Sequence, residues 1–118
     1  MLTYPAEIKH IYIAFGYTDM RRGIDGLAAY VQQHYRLDPA GSSLFLFCGR
    51  RRDRFKALFW DGDGFVLLYK RLEEGRYQWP KRPEEVRLIT PQQFRWLMEG
   101  LSIEQKTALI QVSPSRMA

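Results

Sequence analysis

Stretches rich in leucine, isoleucine, valine and aromatic residues predict the strands of this chain. Four of them have the length of a strand: IYIAF (11–15), SLFLFC (43–48), RFKALFW (54–60) and GFVLLYK (64–70). The short connections between the last three favour an antiparallel meander. RYQW (76–79) could add a strand to this meander, and VRLI (86–89) could form one more short strand.

The segment TDMRRGIDGLAAYVQQHY (18–35) predicts the first helix because its apolar residues recur at helical spacing. Thr18 or Asp19 could cap its start. Gly23 and Gly26 would each cost about 1 kcal/mol inside a helix. The regular helix therefore either begins nearer Asp25 or has a close neighbour at its first turn.

A second helix follows VRLI and is marked by a capping box. Thr90 is a favourable N-cap, Pro91 suits the first helical position, and Gln93 completes the box. Beyond it, SIEQKTALI (102–110) predicts a short third helix, and the final QVSPSRMA has the composition of a disordered tail.

These elements predict an α+β fold in which a small antiparallel β-meander of four to five strands packs against two or three helices. The chain has 118 residues, 46% of them hydrophobic, which suits one compact domain. We expect this domain to occupy residues 1–101, followed by a short helix and tail at 102–118.

The sequence does not show the features of a membrane protein, a secreted protein or a zinc protein. The longest apolar runs are too short to cross a membrane, and the N-terminus lacks the plan of a signal peptide, which predicts a cytoplasmic protein. Cys48 is the only cysteine, and His10 and His34 are far apart, so neither a disulfide nor a structural zinc site is expected. No cofactor and no small-molecule substrate is indicated.

The stretch FWDGDGF (59–65) resembles a metal-binding loop but fits a turn better. An EF-hand loop needs an oxygen ligand at its fifth position and a carboxylate at its twelfth, where this chain has Phe65 and Leu72. A two-metal nuclease needs several converging carboxylates, which the sequence does not show. Gly62 and Asp63 instead suit a two-residue hairpin loop, in which glycine supplies a positive φ. We therefore expect no metal site and no enzymatic activity.

Positive charge is concentrated in one segment. The formal net charge is +5, and residues 50–82 contain ten basic side chains against five acidic ones. The basic residues are the candidate DNA-binding set: Arg50, Arg51, Arg52, Arg54, Lys56, Lys70, Arg71, Arg76, Lys81 and Arg82. Most are arginines, whose planar guanidinium matches phosphate oxygens, so the distribution indicates an anionic partner.

The predicted hairpin brings part of this charge together. With Gly62 and Asp63 as the loop, Arg54 lies opposite Arg71 and Lys56 opposite Tyr69. Two arginines in register repel each other unless an anion lies between them, which indicates a phosphate partner. Alternatively, Asp53, Glu73 and Glu74 neutralise these cations in an ordinary salt-bridged sheet edge.

Three long motifs resemble a known family. GYTDMRRGIDGLAA, FLFCGRRRDRFKALFWDGDGFVLLYKRLEEGRYQWP and TPQQFRWLMEGL, in this order and spacing, are similar to the TnpB accessory protein of insertion-sequence-66-type transposable elements. The match runs from about residue 11 to residue 101. The resemblance implies an accessory role in transposition beside a separately encoded transposase, and it implies no catalytic residues for this chain.

Two mechanisms fit that role. In the first, the protein holds element ends or target DNA through phosphates, and Trp60, Tyr69, Tyr77 or Trp79 stack on unpaired bases. In the second, it is an adaptor that docks on the transposase or on another accessory protein of the element, because Arg, Tyr and Trp are enriched at protein interfaces.

Overall fold

A five-stranded sheet forms the centre of the protein, seen in a computed structural model that describes residues 2–82 and 85–105. The strands are β1 (His10–Ala14), β2 (Ser43–Cys48), β3 (Arg54–Trp60), β4 (Phe65–Arg71) and β5 (Val86–Ile89). They lie in the order β4-β3-β2-β1-β5. Two helices, α1 (Ile24–His34) and α2 (Pro91–Met98), complete the regular elements of the described residues, and neither is long and apolar enough to cross a membrane.

The two helices cover opposite faces of the sheet. Leu27 and Val31 of α1 are fully buried in a cluster with Phe45, Phe47 and Leu58. Phe94, Leu97 and Met98 of α2 belong to the larger cluster on the other face, whose sheet members include Ile11, Ile13, Leu44, Leu46 and Phe55. Burying one such side chain stabilises the fold by about 1.5–3 kcal/mol. The α+β class and the packing of helices on a small sheet are as predicted.

The prediction of an entirely antiparallel sheet is wrong at one position. β1 and β2 are parallel, with Ile11 beside Leu44 and Ile13 beside Leu46, whereas the other three pairs of strands are antiparallel. Parallel neighbours need a long crossover connection, and the segment between β1 and β2 supplies one because it contains α1. The meander is therefore limited to β2, β3 and β4.

The segment RYQW (76–79) does not form the additional strand that its pattern allowed. Tyr77 and Trp79 are buried against Phe55, and the backbone N–H of Tyr77 donates to the carbonyl of Arg52 at 2.7 Å. The indole Nε1 of Trp79 donates to the carbonyl of Ala14 at 2.7 Å. The alternation of polar and aromatic residues here reflects a loop that is packed on one side.

Of the two helix starts, only that of α2 has the expected cap, and the prediction that Thr18 or Asp19 caps α1 is wrong. α1 begins at Ile24 with Gly23 as its N-cap, which confirms the later start. At α2, Gln93 N–H donates to Thr90 Oγ1 at 3.1 Å and Thr90 N–H donates to Gln93 Oε1 at 2.9 Å, so the capping box is confirmed.

The chain continues to pack on the domain after α2. Ile103 is 3% exposed in the larger core cluster, and Gln93 Nε2 donates to its carbonyl at 3.3 Å. Residues 102–105 are not helical. The rest of the predicted third helix, and the predicted tail, lie outside the described residues.

The β3-β4 hairpin has the predicted register. Arg54 pairs with Arg71, Lys56 with Tyr69, and Trp60 with Phe65. Gly62 has φ of 83°, a backbone conformation that favours glycine, and the Asp61 N–H donates to the carbonyl of Gly64 at 2.8 Å. FWDGDGF is therefore a turn.

Candidate nucleic-acid interface

The strand directions bring three loops to one end of the sheet. Because β1 and β2 are parallel, both end on the same side, at Ala14 and Cys48. β3 begins on this side at Arg54, and β4 ends there at Arg71. The loop after β1, the loop between β2 and β3, and the chain after β4 therefore meet, although they are far apart in sequence.

A cleft of about 860 Å³ lies between the first two of these loops and the adjoining ends of β3 and β4. Its walls carry five cationic side chains and one carboxylate. The lining residues are Tyr17, Thr18, Asp19, Met20, Arg21, Gly49, Arg50, Arg51, Arg54, Lys56, Leu67 and Tyr69. We call this feature the tyrosine–arginine cleft. Its concave shape and its excess of cations suit an anionic ligand.

Two exposed tyrosines flank cations in the cleft. Tyr17 is 57% exposed, and Arg50 Nη2 donates to its hydroxyl at 2.9 Å while the guanidinium carbon lies 4.5 Å from the ring centroid. Tyr69 is 55% exposed; Arg54 Nη1 donates to its hydroxyl at 3.3 Å, and Lys56 Nζ lies 5.8 Å from its ring centroid. These are cation–π geometries, so each ring is held beside a positive charge.

Arg54 and Arg71 lie in register, but an acid neutralises one of them. Arg54 Nε and Nη2 donate to the two carboxylate oxygens of Asp53 at 2.9 and 3.2 Å. The hydrogen bond from Arg54 lowers the pKa of Asp53, and the same bond raises the pKa of Arg54. Glu73 and Glu74 make no ion pair within the described residues. Of the three acidic residues that could neutralise this sheet edge, only Asp53 does so, and it pairs with Arg54.

Lys56 and Arg52 bind the protein's own backbone. Lys56 Nζ donates to the carbonyls of Met20 and Arg22 at 2.7 and 2.9 Å, which joins β3 to the loop after β1. Arg52 Nη1 donates to the carbonyl of Gly16 at 2.8 Å. Both side chains hold the loops that form the cleft, which leaves fewer of their donors for a ligand.

Arg51 differs from its neighbours because its side chain has no hydrogen bond or ion pair to any described residue. The residue is exposed at the rim of the cleft, whereas Arg50 beside it is engaged with Tyr17. Of the cations in the loop between β2 and β3, Arg51 therefore has the most donors available to an anion.

The ten basic residues singled out from the sequence do not share one surface. Arg50, Arg51, Arg54 and Lys56 line the tyrosine–arginine cleft. A second pocket of about 550 Å³, next to Tyr77 and Trp79, holds another group: Arg52, Arg76, Lys81 and Arg82. Arg82 is paired there with Glu104 at 3.4 Å and with Glu85 at 3.9 Å. Lys70 and Arg71 line neither, and Lys70 lies in register with Phe55, on the face away from the cleft.

The carboxylates that suggested a metal site are separated from the cleft or paired with arginine. Asp61 and Asp63 are exposed at the far end of the hairpin. Asp19 lines the cleft, but Arg21 Nη2 donates to its Oδ2 at 2.9 Å, and this bond lowers the pKa of Asp19. Among the described residues, no three His, Cys, Asp or Glu side chains lie close enough together to hold a metal ion.

Sequence reasoning missed Tyr17 and Arg21 as members of the site. Tyr17 precedes Arg50 by 33 positions, and only the parallel pairing of β1 with β2 brings the two together. Both missed residues lie within GYTDMRRGIDGLAA, one of the three motifs that carry the family resemblance. The pattern of this motif predicts a helix start, whereas residues 17–21 line the cleft.

Comparison with known proteins identifies relatives for most of the chain. Residues 9–108 match the family model described as IS66 Orf2 like protein, and this match extends past residue 101, where the resemblance of the motifs ended. Two proteins of Sinorhizobium fredii are similar, and both are described as uncharacterized. One, y4hO, is 40% identical over 77% of this chain and 79% of its own length. The other, y4jC, is 34% identical over 82% of this chain and 83% of its own length. No solved structure matches the chain significantly.

Proposed function

Because the chain belongs to the IS66 Orf2-like family of insertion-element accessory proteins, we propose that it supports transposition by binding DNA in the tyrosine–arginine cleft. The family is an accessory to transposition and distinct from the catalytic transposase. The DNA would be an element end or the target, held through its phosphates with little preference for sequence.

The observation that carries this proposal is the cleft itself. It brings Arg21, from the loop after β1, together with Arg50, Arg51, Arg54 and Lys56, from residues 50–56, and Asp19 is the one acidic lining residue. Arginine binds phosphate through paired donors, and contacts to phosphate fix position on DNA without reading its sequence. The remaining cations of the predicted set lie outside the cleft, in the second pocket and on β4.

Salt dependence and one arginine test the proposal. Binding of fluorescently labelled duplexes of unrelated sequence would be followed by anisotropy at about 50 and 200 mM salt. Each neutralised phosphate of a duplex contributes about 0.9 to the slope of log affinity against log salt. The Arg51 side chain has no hydrogen bond or ion pair to the described residues, so Arg51→Ala should not destabilise the fold. It should reduce the steepness of this slope by about 0.9, the contribution of one phosphate contact.

Arg95→Ala is the matched control. Arg95 is exposed on α2, the helix that covers the face opposite α1, and its Nη2 donates only to Gln92 Oε1, at 2.7 Å. The variant removes the same charge from a surface outside the cleft and should leave the slope unchanged. Absence of DNA binding even at low salt, together with loss of transposase association in Arg51→Ala, would replace this proposal with the adaptor function.

A further inference from the structure

The exposed aromatic side chains of the protein are concentrated in one place. Among the large apolar side chains that are exposed in the described part of the chain, two are aromatic, Tyr17 and Tyr69, and both line the tyrosine–arginine cleft. Tyr77 and Trp79, which the sequence also suggested as stacking residues, are buried in the core. Trp60 lies at the far end of β3, with its ring against Phe65.

Each exposed tyrosine, together with its neighbouring cation, could bind one nucleotide, the ring contacting the base and the cation contacting the phosphate. A nucleotide presents a flat base next to a negatively charged phosphate. The Arg50 guanidinium lies over the Tyr17 ring, and at Tyr69 Lys56 Nζ lies over the ring while Arg54 donates to the hydroxyl. The hydrogen bonds to the two hydroxyls hold the rings in place, so less conformational freedom is lost when a ligand binds.

We propose that the cleft binds single-stranded DNA in preference to duplex, with bases stacked on Tyr17 and Tyr69 and phosphates held by Arg50 and Arg51. This inference rests on the proposed function and names its ligand. Bases in a duplex are already stacked on their neighbours and offer no free faces to a tyrosine ring, whereas unpaired bases do.

The size and the lining of the cleft suit unpaired nucleotides. Its volume of about 860 Å³ is in the range of pockets that bind drug-sized molecules, which is enough for a few nucleotides. Met20 and Leu67 add apolar surface to the lining of the cleft. Stacking on an aromatic ring tolerates any base, so we expect little preference among bases.

Matched oligonucleotides test the inference. Anisotropy would compare labelled oligothymidylate of roughly 16 nucleotides with a duplex of equal length at the same salt concentration. We expect the single strand to bind more tightly, and Tyr17→Ala and Tyr69→Ala each to weaken its binding by roughly fivefold to a hundredfold. Duplex binding should change by less than about threefold, since stacking is the contact that the substitution removes.

Two further variants separate stacking from structure. Tyr17→Phe keeps the ring and should retain most single-strand binding, whereas Leu88→Ala removes an exposed side chain of β5 outside the cleft and should have no effect. Equal or tighter binding of duplex, or equal losses for both ligands in the tyrosine variants, would overturn the single-strand preference and leave the proposed function intact. Binding to neither ligand would overturn both.

Discussion

Lys56 provides a direct test of how the cleft is held together. Its ammonium donates two hydrogen bonds to the carbonyls of Met20 and Arg22, which fix the loop after β1 against β3. Lys56→Met removes both bonds and keeps most of the side-chain stem, so the change in packing is small. We expect the variant to fold but to lose stability in this loop.

The magnitude follows from the two bonds. A hydrogen bond to a charged group contributes about 1.5–3 kcal/mol. Both carbonyls line or adjoin a cleft open to solvent, where water replaces part of the lost interaction, so the sum is not expected in full. A total loss of about 1.5–3 kcal/mol corresponds to a fall in melting temperature of roughly 6–12 °C for a domain of this size.

Thermal unfolding followed by circular dichroism measures this loss, and Lys70→Met serves as the control. Lys70 is on the neighbouring strand and on the other face, and its side chain has no hydrogen bond or ion pair to the described residues. The control should change the free energy of unfolding by less than about 0.5 kcal/mol. A melting temperature of Lys56→Met equal to that of the control would show that the two bonds do not hold the loop.

Three other substitutions or conditions give separate checks. Gly49→Ala should destabilise the fold by about 1–3 kcal/mol in urea unfolding, because a Cβ there would lie 2.6 Å from Met20 Cγ; an unchanged midpoint would contradict this. In the same urea assay, Gly23→Ser should be more stable than Gly23→Ala by about 0.5–2 kcal/mol, because the N-cap of α1 has no side-chain acceptor and its surroundings are open; equal midpoints would contradict this. Burial raises the pKa of the Cys48 thiol above 9.0, so the unfolded state loses this proton first and stability should fall as pH rises above about 9. Cys48→Ala should flatten that fall, and an equally steep fall in the variant would refute the assignment.

Local patterns predicted most of the elements of this fold. The β3-β4 register follows from a turn at Gly62 and Asp63 and the alternation of side chains, both of which are local. The capping box of α2 is likewise contained within four residues. The direction of β1 relative to β2 is not local, yet a helix between two strands is the usual sign of a parallel pair, and the sequence contained that sign.

The candidate site was harder to predict than the fold. Charge density identifies the segment around Arg50, but it does not show that Arg52 and Lys56 bind backbone carbonyls. Nor does it show that Arg76 and Lys81 line a different pocket. Tyr17 has no local feature that distinguishes it from the tyrosines of the core. These assignments depend on which side chains meet after the sheet has formed.

The parallel pairing of β1 with β2 also determines what a fragment of this protein can do. A peptide covering residues 50–82 would keep ten cations and would still attract nucleic acid through charge alone. It would lack Tyr17, Met20 and Arg21, which reach the cleft only because β1 ends beside β2. Residues 50–82 fused to another protein would thus carry the positive charge with them. The cleft requires the whole sheet and is lost in any truncation that removes β1.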